Sequence, residues 1–309
     1  MRKCNLIIDS CCDLPPEFIN VEGVELIKFP YMIDGVNYED DMFTLQKPHD
    51  FYEAIRKGAK PTTSQASPAK FQEVFEAAAK SGIPTVYLAF TSGLSASYES
   101  ACMVRDQVLE KYKDAELYVV DTLLPSLAEG LLVVEAINQM NKGLSATDLV
   151  KWAEEARYYV DATFMVDDLE SLRRGGRIPS SVAVAGGALN VKPFVTLSLD
   201  GGLKLCGVAR GRKKGIAQLA NFYQNNSSKN AQGGYVIVGN ADCPSDAKKL
   251  RDMLLKQNNT LMILEANIGP VIGTHTGPDM LAVVYWCDDR RQNLSISDKI
   301  ANKVKGTTE

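Results

Sequence analysis

Short apolar runs that end in Asp, Ser or Gly alternate along this chain with longer amphipathic stretches, and that alternation constrains the fold more than any other feature. It is the pattern of β-α units wound around a largely parallel sheet. Four runs mark the first half: NLIIDS (5–10), VELIKFPYMI (24–33), TVYLAF (85–90) and ELYVVD (116–121). They are rich in β-branched and aromatic residues, as strands buried on both faces are. Asp34-Gly35 supplies a turn after the second.

Between these runs, SPAKFQEVFEAAAK predicts a helix, with Ser67 as N-cap, Pro68 at the first helical position, and Phe71, Val74, Phe75 and Ala78 on one face. The segments 95–113 and 124–143 read the same way, the last ending at Gly143. A new unit begins with a capped helix at 145–160 and a strand at 161–166, leading into DDLESLRRGGRI (167–178). Asp200-Gly201-Gly202 then predicts a hairpin turn, followed by helix 212–225, strand 235–240, helix 244–257 and strand 262–267. That order mixes antiparallel with parallel pairing. The expected organisation is therefore two α/β domains, 1–160 with a mainly parallel sheet and 161–290 with a mixed sheet, and a tail at 291–309. Within the tail, 295–306 reads either as a small amphipathic helix carrying Ile296, Ile300 and Val304 or as a frayed end.

A length of 309 residues suits two such domains, whose cores fold without staples. The seven cysteines form no CxxC pair, so neither a disulfide scaffold nor a zinc site is expected, and a reducing cytoplasm fits best. The first apolar run stops at Asp9, too early for an export signal, and no apolar run is long enough to span a membrane. A net charge of −4 argues against broad nucleic-acid binding, and two histidines exclude a His-rich metal centre. No P-loop is present, and no cofactor is expected.

Four polar segments carry candidate chemistry. PTTSQASPAKF (61–71) holds more hydroxyls than a helix cap requires, which leaves an anion-binding loop and a plain loop with cap both open. FTSGLSASYES (90–100) approaches the G-x-S-x-G nucleophile elbow around Ser95, but Ser97 stands where the last glycine belongs, and an N-cap role is the alternative. LRRGGRIPSS (172–181) offers Arg173, Arg174 and Arg177 around a glycine pair, either to grip phosphate or carboxylate oxygens or to end a helix with cations. IGPVIGTHTGPDM (268–280) sets His275 in a Gly- and Pro-rich loop that favours close approach to a ligand.

Taken in order, IIDSCCDLP, TTSQAS, FTSGLSASYES, LESLRRGGRI, LNVKPFVTLSLDGGL, RGRKKG and IGPVIGTHTGPDML resemble the DegV family of bacterial fatty-acid-binding proteins over roughly residues 3–286. The resemblance implies a lipid slot between two α/β domains, holding one long-chain fatty acid whose carboxylate is tethered by hydroxyls. The threonine of the TSQ motif matches Thr63 and the second serine of SGLS matches Ser95. In the branch that carries lipid for a separate ATP-dependent fatty acid kinase, three residues are linked to phosphorylation or kinase docking; they match Arg177, Arg210 and His275. The chain departs from the family pattern at Ala66, Ala96 and Ser97, and at Cys11 and Cys12 in the opening motif. The expectation is a lipid-binding protein, not an enzyme in itself, partnered by a fatty acid kinase. Two alternatives are an acyl-ester hydrolase with Ser95 as nucleophile and His275 as base, and a lipid buffer with no kinase.

Overall fold

The computed structural model describes residues 2–179, 190–229 and 234–293. The expected helix or frayed end at 295–306 lies outside these. The chain runs through β1 (Asn5–Asp9), β2 (Val24–Ile27), β3 (Pro30–Ile33), β4 (Val36–Glu39), α1 (Pro48–Arg56), β5 (Thr62–Thr63), α2 (Pro68–Ser81), β6 (Thr85–Ala89), α3 (Ser97–Lys111), β7 (Leu117–Asp121), α4 (Leu127–Asn141) and α5 (Ala146–Ala156). It continues with β8 (Val160–Met165), α6 (Glu170–Arg174), β9 (Val191–Leu197), β10 (Leu203–Arg210), α7 (Arg212–Asn226), β11 (Tyr235–Asn240), α8 (Pro244–Gln257), β12 (Met262–Asn267), α9 (Pro270–Thr276) and β13 (Leu281–Trp286).

As expected, the first half builds a parallel sheet, in the order β2-β1-β6-β7, and the second a mixed sheet, in the order β10-β9-β8-β13-β11-β12. In the mixed sheet β11 and β12 pair in parallel and the other described pairs are antiparallel. A small antiparallel sheet, β4-β3-β5, sits beside the first. Its hairpin turns at Asp34 (φ 50°) and Gly35 (φ 79°), two left-handed residues that match the twist of a two-residue turn. The largest apolar cluster draws on both halves, joining Ile27, Phe71 and Leu127 to Phe164, Ile237 and Ile272. The seam between the halves is thus part of the core.

Two expectations need correction. The run 24–33 is not one strand: β2 lies in the parallel sheet and β3 in the small one. The break falls at Phe29, whose N–H donates to Ser10 Oγ at 3.0 Å and whose carbonyl accepts from Asp40. Ile27, Phe29, Tyr31 and Ile33 are all buried, so the inward period of two continues through the break and hides it. Second, His275 does not sit in a loop. Gly269-Pro270 starts α9, with proline at the first turn, and His275 lies in the last turn. The glycines and threonines of that segment mask its helical character, since each is a poor helix former.

Candidate functional site

The seam encloses a cavity of about 870 Å³, open mouth included, walled by apolar side chains such as Phe29, Phe90, Leu127, Phe164, Leu197 and Ile272. Its polar lining includes Thr63, Ser64, Gln65, Ser95, Ser126, Arg177, His275 and Thr276. Thr63 is held by β5, which pairs with β3 through Tyr31 opposite Thr63. Ser95 stands two residues before α3 and accepts a hydrogen bond from the Ser97 N–H at 3.2 Å. An accepting hydroxyl keeps its own hydrogen for another partner. Ser95 can therefore donate into the cavity.

Thr63 Oγ1 and His275 Nε2 lie 2.8 Å apart, joining the first half to the second. Burial, and next the positive charges of Arg177 and Arg174, push the His275 pKa down to about 4, so the imidazole is neutral at pH 7. Its Nδ1 is buried without a hydrogen-bond partner among the described residues. A buried bare nitrogen is better tolerated than a buried unpaired N–H. With the proton on Nε2 the imidazole donates to Thr63 Oγ1, and the threonine keeps its own hydrogen for another partner. The close approach of His275 also explains Gly175: a Cβ there would overlap Nδ1 and stand 2.9 Å from Cε1.

Arg177 is half-buried at the same mouth, donating from Nε to the Leu94 carbonyl at 3.1 Å and from Nη1 to the Gly175 carbonyl. It pairs with no carboxylate among the described residues. Burial lowers its pKa without discharging it. Arg173, by contrast, is exposed and paired with Glu170 at 2.7 Å, an ordinary helix-surface ion pair on α6. Arg210 is exposed at the end of β10 and is not among the residues that line the cavity.

Sequence reasoning missed the residues that hold α9 against the first half. The buried Asp13 accepts from the Gly269 N–H at 2.9 Å, and Tyr52 donates to the Ile268 carbonyl at 2.6 Å. Asp13 lies in a motif the sequence does flag, but nothing local reveals a partner 256 positions away. Cys11 lines the cavity, and burial followed by the charge of Asp9 raises its thiol pKa. It stays protonated and behaves as a small apolar wall residue.

Fold and site together define a two-domain α/β protein with an apolar slot in the seam and a ring of hydroxyl, imidazole and guanidinium groups at one end. A slot of that make-up suits an amphipathic small molecule. The chain belongs to the DegV family, whose model, described as that of an uncharacterised protein family, matches residues 3–288. A DegV domain-containing protein of Clostridium perfringens is 35% identical over 290 residues, covering 94% of this chain and 99% of that one. The solved structure of a fatty-acid-binding DegV family protein from Thermus thermophilus is 29% identical with a TM-score of 0.78, covering 93% of this chain and 100% of that one. DegV from Bacillus subtilis, a fatty acid binding protein, is 26% identical with a TM-score of 0.78, covering 93% of this chain and 99% of that one. Among the described residues, no helix is long and apolar enough to cross a membrane.

Proposed function

We propose that this chain binds one long-chain fatty acid, holds its carboxylate through the hydroxyls of Thr63 and Ser95, and presents it to a separate ATP-dependent kinase that forms the acyl phosphate. The observation that carries the reading is the cavity itself: an apolar slot with two neutral hydroxyl donors at its polar mouth. The fatty-acid-binding relatives from Thermus thermophilus and Bacillus subtilis support it. Each buried methylene contributes about 0.8 kcal/mol, so roughly fourteen of them supply on the order of 10 kcal/mol before ordering costs. The tail provides most of the affinity and the head only the orientation.

Neutral donors suit phosphoryl transfer to the bound acid. A carboxylate oxygen attacks the γ-phosphorus of ATP, a new O–P bond forms, and the bond to the ADP oxygen breaks. Hydroxyl donors orient that oxygen without burying its charge among cations. Arg177 matches the phosphate that arrives, since its guanidinium fork has no carboxylate partner among the described residues. Arg210, exposed and outside the cavity lining, suits contact with the kinase surface.

The hydrolase reading has less support. Among the described residues Ser95 makes no hydrogen bond to His275, and no acid meets Nδ1 of His275 to orient it as a catalytic base.

Mass spectrometry of the intact protein purified from bacteria, with subsequent lipid extraction, tests the binding step. A fatty acid in one-to-one ratio is expected, and a protein that carries none and takes up none refutes the reading. Purified bacterial fatty acid kinase and ATP test the presentation step. Acyl phosphate is expected from the wild type and none from Arg177→Ala. A protein that binds the acid but never yields acyl phosphate is a lipid buffer.

A further inference from the structure

The slot is walled on one side by the β9–β10 hairpin, which contributes Leu197 and Leu203, and elsewhere by the loop after β6, which contributes Leu94 and Ser95. These two segments, from opposite halves of the chain, meet backbone to backbone. A Cβ on Gly93 would overlap Gly201 and stand 2.6 Å from both the Asp200 carbonyl oxygen and the Gly202 nitrogen. A Cβ on Gly201, itself left-handed at φ 80°, would overlap the Thr91 hydroxyl and lie 3.1 Å from Leu123 Cα.

A side-chain hydrogen bond of Thr91 crosses this contact. Thr91, fully buried, donates from Oγ1 to the Gly201 carbonyl at 2.9 Å. The same oxygen accepts from the Gly93 N–H at 3.1 Å, which fixes the bend of its own loop. Three residues on, the Leu94 carbonyl takes the Arg177 Nε–H, and Ser95 comes directly after. The Thr91 hydroxyl thus ties the turn of a hairpin that touches the tail of the slot to the loop that carries a head-group ligand.

We propose that Thr91 is a positioning residue that couples filling of the apolar slot to placement of the Ser95 hydroxyl. An acyl chain lying on Leu197 and Leu203 seats the hairpin, the Asp200–Gly202 turn closes on Gly93, and Thr91 sets the loop that presents Ser95. The coupling rests on the fatty-acid reading of the slot.

The test uses the full chain stripped of lipid, with palmitic acid and cetyl alcohol as ligands of equal length that differ in the head group. Thr91→Val, which keeps the shape and removes the donor, is expected to weaken palmitic acid about tenfold and cetyl alcohol less than about twofold. Thr91→Ser, which keeps the donor, is expected to restore palmitic acid binding to within about twofold. Equal losses for acid and alcohol would mean that Thr91 merely shapes the wall, and would overturn the proposal. Unchanged palmitic acid binding by Thr91→Val overturns it as well.

Hydrogen exchange in the wild-type chain gives a readout that needs no variant. The Gly93 amide is expected to exchange several-fold more slowly with cetyl alcohol bound than in the empty protein. Equal rates would contradict the coupling. Wild-type protein that binds neither ligand refutes the fatty-acid reading itself, whereas binding with an unaltered variant refutes only the role of Thr91.

Discussion

His275 shows how much of the site a single residue organises. Its imidazole is kept neutral by burial and by two arginines, and with the proton on Nε2 it donates to Thr63, which leaves the threonine hydrogen for a ligand. A carboxylate can then take two hydrogen bonds, one from Thr63 and one from Ser95. Bonds of this type are worth about 1.5–3 kcal/mol each. Thr63→Val and Ser95→Ala are therefore each expected to weaken palmitic acid by at least about tenfold, with little change for cetyl alcohol, as isothermal titration would measure. Equal loss for both ligands would place these residues in the wall instead of at the head group. Thr63, Ser95, Arg177 and His275, which the structure places in the cavity lining, all lie in polar segments that the sequence singles out. The Thr63–His275 bond was not legible there, since 212 positions separate its ends and no local pattern encodes a contact at that range.

Among the elements, α9 carries the most consequence for its length. Among the described residues, hydrogen bonds tie it and the two residues before it to the first half: Asp13 at the Gly269 amide, Tyr52 at the Ile268 carbonyl, and Thr63 at His275. Midway, Gly273 leaves room for the Tyr52 ring, where a Cβ would overlap the hydroxyl and stand 2.9 Å from Cε1 and Cζ. Neighbouring backbone and ring are both buried, so neither yields cheaply. Gly273→Ala is expected to destabilise the protein by about 1–3 kcal/mol and to weaken palmitic acid binding by shifting His275. Tyr52→Phe alone should cost about 1 kcal/mol through the lost hydrogen bond, and combined with Gly273→Ala should recover part of the loss by removing one clashing atom. Denaturant midpoints of the four proteins measure the coupling, and strictly additive losses would refute the packing argument. Legibility at this scale tracked the strength of the periodic signal. Strands 235–240 and 262–267 and helix 244–257 appear at their expected bounds. The short α9 was hidden by its glycines, and the joint at Phe29 by an unbroken inward period.

At the scale of the whole molecule, the seam holds an unusual charge arrangement behind the slot. Asp9, Asp13, Asp40 and Glu129 are all buried, and among the described residues none forms an ion pair and both Glu129 oxygens lack a hydrogen-bond partner. Burial pushes Asp9 up to about 6 and Asp40 up to about 7, and raises Asp13 and Glu129 as well. Unfolded aspartate ionises near pH 4, so between about 4 and 7 the native state holds protons that the unfolded state has lost. Stability from these groups is complete below that window and is lost as pH rises through it, at about 1.4 kcal/mol per pH unit for each proton retained. His275 works in the opposite direction: it ionises at about 4 when folded and near 6.5 when unfolded, so it costs stability as pH falls. Several carboxyls outweigh one imidazole. The urea midpoint is therefore expected to fall between pH 5 and pH 8, the reverse of ordinary acid denaturation, and Asp40→Asn should flatten that slope by removing one of the titrating groups. A midpoint that rises across the same interval would mean the cluster ionises in the folded protein as it does in water, and would remove the seam as the source of the pH dependence.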